Sequence, residues 1–364
     1  MAGSYKDLDL DKDIVGTRTL LHEQIPLTGT LASGTYGTFP NDTNVKNYSH
    51  GMFQSVYDYP YLSSSANHIY DLTFGYSNNS SLSGSGTQNA KKINLYNQMA
   101  QVLVGYDVTG SIRDFDADGN ITDGGAKLQE CTFINFSRLL NKDEIKKGSF
   151  TMQLGTGSYT APFSGRITIQ DTNAQNSYKV NSPAGEYGIL SCSSGANIGT
   201  PSCGLIFYQA GVAVLSNKTF QSASLGGILG SVSGSKAGAG NVDFGDTAGT
   251  ASINEVMVSS SISGACDDLR HRIYDISYQN TTELNSTIHF CRVQSADFNY
   301  SSNPTYLSSS KMRVKNTQTD SPVSYFTTVG LYSADNELLA VAKLSEPIKK
   351  TPSNEMVLRV RLDY

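Results

Sequence analysis

The spacing of apolar and polar positions changes along the chain, and the changes mark its elements. "AKKINLYNQMAQVLVG" carries Ile93, Tyr96, Met99, Ala100 and Leu103 at intervals of three and four. That spacing is one apolar helical face, so a helix is predicted near 90–104, stopped by Gly105. A shorter helix is predicted in "LLNKDEIKK", ended by Gly148. From residue 149 the period shortens. "FTMQLGTG", "GRITIQD", "SYKVN", "INEVMVSSSISG", "RIYDISYQNT", "STIHFCRVQSADFNY" and "KMRVKNT" are short runs separated by turn formers, and they read as strands. "CGLIFYQAGVAVLS" is the most apolar strand pair, with a kink or bulge expected at Ala210-Gly211.

These elements predict a mainly β (α+β) fold. Its antiparallel sheets or β-sandwich would carry one or two short helices and long Gly/Ser-rich loops. The expected organisation is an N-terminal β-rich region, 1–148, containing the helix, and a second β-rich region, 149–364. The Gly/Ser-rich stretch 221–250 falls in the second region as a loop or extended arm. The region closes on a C-terminal hairpin over 323–364. No repeat of fixed period is visible.

Composition agrees with short strands and many turns. Gly reaches 34 residues, Tyr 21, and Ser, Thr and Asn are abundant, which suits turn conformations better than long helices. Charged residues are 16% and net charge is −5, which leaves no basic footprint for nucleic acid and no polybasic membrane anchor. No run of about 18 apolar residues exists to form a membrane helix. The opening "MAGSYKDLDLDKDIVG" is acidic and polar, so no signal peptide and a cytosolic origin are expected.

The chemical motifs are few. Cys131, Cys192, Cys203, Cys266 and Cys291 form no CxxC pair, and the plain expectation is isolated, mostly buried thiols. Cys192 and Cys203 flank "SSGANIGTPS" and could face each other across a loop, so a disulfide is the alternative there. The five histidines make no HExxH or HxH pair and read as packed or hydrogen-bonded residues. No nucleophile elbow, phosphate loop or dinucleotide fingerprint is present. Catalytic residues are therefore none, and no enzyme activity or organic cofactor is expected. "DLRHRIYD" concentrates Arg270, His271 and Arg272 and reads as a solvated interface stripe in preference to a phosphate site.

"DFDADGNITDGG" is the sharpest motif. Asp114, Asp116 and Asp118 occupy alternate positions of a tight loop, and Gly119 stands where a calcium loop turns. The twelfth position is Gly125 instead of the closing Glu, and Asp123 is the candidate substitute. Possible calcium stands here beside the plainer reading, an Asp-rich turn capping its own backbone.

The ending alternates with period two. In "PVSYFTTVGLY", Tyr325, Thr327, Val329 and Leu331 are predicted on one face, with Phe326, Thr328 and Tyr332 on the other. "SADNE" is a turn and "LLAVAKLSEP" returns. "EMVLRVRLDY" places Met356, Leu358, Val360, Leu362 and Tyr364 on one face, and Val357, Arg359, Arg361 and Asp363 on the other. Tyr332, Arg359, Arg361 and Tyr364 are the candidate interface residues. The last strand is expected to pair within its own sheet or with a neighbour.

That ending, with "GLIFYQAGVAVLS" and "FINFSRLLNKDEIKKGSF", resembles virion structural proteins of large tailed bacteriophages, including marine and cyanobacterial myoviruses. The resemblance implies a tail or baseplate component, assembled in the host cytoplasm and resident in the virion. Its expected partners are other virion structural proteins, in a homo-oligomer or ring, with no nucleic acid and no membrane. A neck, collar or fibre-attachment protein is the alternative. So is a receptor-binding fibre module with a possible host surface glycan as ligand, its Tyr clusters drawn from "YDYPYLSSSANHIY".

Overall fold

A computed structural model describes residues 5–28, 42–120, 125–155, 161–192, 203–220, 253–301, 307–308, 311–312, 314–315 and 317–364. The chain opens with β1 (Ile14–Thr28), β2 (Val45–Asn47), β3 (Gln54–Tyr57) and β4 (His68–Tyr76), followed by helix α1 (Asn89–Leu103). Next come β5 (Phe115–Asp116), β6 (Lys127–Leu128), β7 (Glu130–Phe136), α2 (Arg138–Asn141), β8 (Glu144–Ile145), β9 (Thr151–Gly155) and β10 (Arg166–Gln170). After α3 (Ala174–Ser177) run β11 (Lys179–Ser182), β12 (Gly185–Cys192), β13 (Gly204–Phe207) and β14 (Val212–Ser216). Helices α4 (Ile253–Ser259) and α5 (Ile262–His271) lead into the long β15 (Ile273–Val293). The chain closes with β16 (Leu307–Ser308), β17 (Lys311–Met312), β18 (Ser324–Tyr332), β19 (Leu338–Lys350) and β20 (Met356–Asp363). The fold is mainly β with short helices, as the sequence predicts.

The chain forms two compact units: residues 21–282, and residues 1–20 with 283–364. Both boundaries fall inside a strand, β1 and β15. The expected division at 148/149 is not among them. β7, before that point, pairs with β14, beyond it, from Asn135↔Val212 to Ser216↔Cys131. Residues 221–250 lie outside the described residues.

In the larger unit the strand order is β15-β9-β10-β12-β13-β14-β7-β4-β3-β2. Antiparallel ladders join the strands, for example Tyr187–Leu190 of β12 with Gly204–Phe207 of β13. All nine residues of β13 and β14 are buried. Ile206, Ala213 and Leu215 join one apolar cluster, and Leu205, Phe207, Val212 and Val214 join a second. A strand buried on both faces has no polar side, which is why this segment reads as a continuous apolar run. The expected kink at Ala210-Gly211 is the turn between them. Gly211 sits at φ +69, where a Cβ would come within 1.8 Å of Asn141 Nδ2.

α1 lies on β4 at Gly75, where a Cβ would stand 2.4 Å from the Lys92 carbonyl oxygen. It buries Leu95, Tyr96, Ala100 and Leu103, close to the predicted face. It also buries Lys92, which periodicity did not flag. Lys92 Nζ donates to the carbonyls of Met257 (2.5 Å), Ser260 (2.8 Å) and Val258 (3.3 Å), where α4 ends and carbonyls lack intrahelical partners. Burial lowers its pKa to about 8.

Four expectations are corrected here. "INEVMVSSSISG", expected as a strand, is helix α4 and the start of α5. The helix in "LLNKDEIKK" is only the single turn α2, because Lys142 takes a left-handed φ of 56 and the chain then enters β8. Arg270 and Arg272 are buried and not a solvated stripe. Arg270 pairs with Asp42 at 2.6 Å and Asp267 at 3.2 Å, and Arg272 donates to the Gly155 carbonyl at 3.3 Å. The pairing offsets the desolvation of the guanidinium. Cys192 and Cys203 form a disulfide across an 11-residue separation, so only Cys131, Cys266 and Cys291 are free.

The smaller unit has much less interior. Its buried apolar side chains among the described residues are Ile288, Val293, Leu331 and Val360. β15 pairs with β20 from Ser286↔Asp363 to Val293↔Met356, and β18 pairs with β19 as a separate hairpin.

Candidate functional site

The smaller unit carries the predicted interface residues, and its hairpin is fixed at one end. Lys350, at the base, is fully buried and donates to the Ser295 carbonyl (3.0 Å), Asn299 Oδ1 (2.8 Å) and the Thr351 carbonyl (2.8 Å). Across the ladder, Ser324 Oγ donates to the Phe298 carbonyl at 2.7 Å. Phe298 then meets Phe326 edge to face, with ring centroids 6.0 Å apart. A two-stranded hairpin alone is marginal in water. These anchors tie its base to the turn after β15. Nothing in the sequence singles out Lys350, since a strand lysine ordinarily projects into solvent.

The other end presents apolar surface. Tyr332 lies over Gly330, where an added Cβ would come within 2.9 Å of the ring. Its outer edge meets Tyr5 at 5.0 Å. Leu338, Leu339 and Val341 are 53%, 67% and 52% exposed on one strand. The predicted alternation in β18 slips one residue. The register shifts between Phe326 and Thr328, so Ser324, Phe326, Val329 and Leu331 turn inward while Tyr325, Thr327, Thr328, Gly330 and Tyr332 turn outward. The irregularity faces the "LSEP" segment of β19, where Pro347 has no N–H to give the ladder.

The final strand keeps its predicted alternation. Met356, Leu358, Val360 and Leu362 are at least half-buried, and Val357, Arg359, Arg361 and Asp363 are exposed. Arg361 Nε donates to Asp363 Oδ1 at 2.6 Å and its Nη2 to Ser286 Oγ at 3.0 Å. Hydrogen bonds from Ser286, then from Arg361, hold the Asp363 carboxyl below its ordinary range. The carboxyl-terminal residue is ordered too. Tyr364 exchanges backbone hydrogen bonds with Asn285 at 2.9 and 3.2 Å, and its hydroxyl lies 3.0 Å from Thr287 Oγ1. Its ring is 76% exposed. Arg359 is exposed and makes no ion pair with a described residue. Thus the structure gathers Arg359, Arg361 and Tyr364 on one strand and places Tyr332 on the hairpin.

The Asp-rich loop belongs to the larger unit. Asp114 accepts from Ser77 Oγ (2.6 Å) and Asn79 Nδ2 (3.0 Å). Asp116 is buried, and its Oδ2 pairs with Lys127 Nζ at 2.5 Å. Its Oδ1 accepts the Asp118 N–H at 3.0 Å, and Asp118 Oδ1 accepts the Asn120 N–H at 2.9 Å. These contacts, led by the hydrogen bond with Asp116, lower the Asp118 pKa. Asp123 lies outside the described residues. Among the described residues no three His, Cys, Asp or Glu side chains are grouped to hold a metal. Their geometry is that of the self-capped turn, with a lysine already neutralising Asp116.

No family model, no curated protein and no solved structure matches this chain.

Proposed function

We propose that the chain is a structural subunit of a tailed-phage virion, a tail or baseplate component that acts through protein–protein contacts. The observation that carries this reading is the hairpin of the smaller unit. It is anchored at its base by buried hydrogen bonds and exposes Tyr332, Leu338, Leu339 and Val341 at its other end. Exposed apolar side chains on a two-stranded sheet suit a subunit whose burial is completed by neighbours. Among the described residues no third strand pairs with the hairpin, which suits strand addition at its edges. Symmetric copies of the chain in a ring, assembled in the host cytoplasm with other virion proteins, are the context in which such a face is covered. A neck, collar or fibre-attachment position would use the same surfaces.

The experiment is incorporation into particles. Leu339→Asp with Val341→Asp places two charges on the exposed face without touching the anchors at Lys350 and Ser324. We expect normal folding by circular dichroism and loss of the protein from purified virions, followed by immuno-electron microscopy. Deleting residues 355–364 removes the pairing partner of β15 and is expected to abolish assembly. Full incorporation of both variants would overturn the reading.

A further inference from the structure

Lys350 is fully buried, yet among the described residues no carboxylate forms an ion pair with it. Its Nζ instead meets three oxygens: the main-chain carbonyls of Ser295 and Thr351, and the side-chain amide oxygen of Asn299 at 2.8 Å. Lys92, the other fully buried lysine among the described residues, gives a comparison. It also meets three oxygens, but all are main-chain carbonyls. Only Lys350 is held against a side-chain amide, a group it can be joined to without cutting the chain.

The amide is held at both ends. Asn299 Nδ2 donates to the Ser295 carbonyl at 2.8 Å, while its Oδ1 accepts from Lys350. A C=O bond is about 1.2 Å long, so the Asn299 Cγ stands within about 4 Å of Nζ. A near-attack contact is about 3–3.5 Å, a small further approach.

The turn that presents Asn299 is strained. Phe298 has φ 54, left-handed backbone that a bulky side chain rarely adopts. It is kept there by Ser324 Oγ, which donates to its carbonyl at 2.7 Å, and by its ring contact with Phe326. Asp297 Oδ2 accepts the Gln294 N–H (3.0 Å) and pairs with Lys6 Nζ (2.5 Å), and the Asp297 N–H donates to the Gln294 carbonyl (3.1 Å). The lysine side is fixed as well. Asn354 Oδ1 accepts the Thr351 N–H at 2.7 Å, and its Nδ2 donates to the Lys349 carbonyl at 3.2 Å. Strain of this kind persists where the surroundings over-determine it, and it gathers where a site has chemistry to perform.

We propose that Lys350 and Asn299 join as an intramolecular amide. Nζ attacks Cγ, so the Nζ–Cγ bond forms and the Cγ–Nδ2 bond breaks. The side-chain nitrogen leaves as ammonia and takes up the proton that the lysine gives away. A lysine ammonium and a primary amide thus become a secondary amide and an ammonium ion, with no electron donor or acceptor required. Contact between amine and amide supplies a high effective concentration, and burial of Nζ keeps water from competing. Asp297 is the carboxylate of the same turn. Lys6 and then the Gln294 N–H hold it below the ordinary carboxylate range, and the Lys350 charge adds to that pull. Ionised, it relays the proton from Nζ to Nδ2, directly or through one water. The product is a covalent loop. Its ends lie 51 positions apart and enclose β18 and most of β19, so the hairpin of a unit with little interior is closed by a bond. The inference concerns the hairpin base and holds whatever the exposed end contacts.

The test uses the full-length protein, its disulfide reduced, held at neutral pH and weighed by high-resolution mass spectrometry. We expect a mass below that of the sequence by one ammonia and, after digestion, one joined peptide carrying Asn299 and Lys350. Lys350→Arg and Asn299→Ala should keep their full masses while staying folded by circular dichroism. Asp297→Asn should slow the joining about a hundredfold. In denaturing gels the joined wild-type chain should run apart from Lys350→Arg. Wild-type protein at its full sequence mass overturns the proposal. So does loss of ammonia without a joined peptide, the mark of an asparagine that has cyclised on its own backbone. The chain carrying Leu339→Asp and Val341→Asp keeps both joining residues and should still join, so failure here and failure of virion incorporation are separate results.

Discussion

β13 and β14 of the larger unit bury every residue, whereas β18 and β19 of the smaller unit leave Tyr325, Tyr332, Leu338, Leu339 and Val341 outside. Both pairs are antiparallel ladders with tight turns. Both are held by backbone ladders, regular in β13–β14 and interrupted by register shifts in β18–β19, so pairing alone does not account for the difference in burial. Side-chain burial does, since a fully buried Leu, Val or Phe contributes about 1.5–3 kcal/mol over its exposed state. The larger unit holds its stability in two apolar clusters. The smaller unit depends on its β15–β20 ladder, on polar anchors such as Lys350 and, in our proposal, on neighbours. A region stable by itself can afford polar outward faces, while a region built for contact keeps apolar ones.

That contrast can be broken by substitution. The largest effect is expected at Phe207, fully buried in the second cluster. Phe207→Ala should lower unfolding free energy by about 3–5 kcal/mol, read from the denaturant midpoint of the main transition. Next is Asp42→Ala, which removes the 2.6 Å ion pair to the buried Arg270 and keeps the one with Asp267. Removing one member of such a group costs about 3–5 kcal/mol at most, with the remaining carboxylate reducing the loss. A loss below about 1 kcal/mol would show that Asp42 adds little to holding the buried guanidinium.

A third effect depends on pH. Lys92 has a folded-state pKa near 8, against an ordinary value of 10.5. Between these pH values the unfolded chain binds more protons than the folded one. Stability from this group therefore rises with pH over that window and is flat below it. Lys92→Met should flatten that rise in urea titrations at a series of pH values. An identical slope in wild type and variant would remove Lys92 as its source. The smallest effect is expected in the hairpin: Leu339→Ala should change stability by less than about 0.5 kcal/mol. A loss like that of Phe207→Ala would mean that Leu339 is covered within the subunit, and the two regions would then be built alike.

Several features were legible in the chain. Tyr96, Ala100 and Leu103 of the buried helix face follow from spacing, as does the alternation of β20, whereas Leu95 did not belong to the predicted face. The buried hairpin β13–β14 follows from an apolar run of strand length. What escaped is the set of charges that fold inward. Lys92, Arg270, Arg272 and Lys350 are buried, and local patterning treats each as a surface residue. Their partners lie far away in sequence: Asp42 is 228 residues from Arg270, and Met257 is 165 from Lys92.

The sequence by itself determined the mainly β class, the principal helix and the phase of the last strand. Each depends on neighbours a few residues apart, where backbone geometry fixes which side chains share a face. Only the tertiary structure decided where the units divide, which charges are buried, and that Cys192 and Cys203 pair. Those outcomes depend on which distant segments meet, and the energy of each contact exists only once both partners have left water.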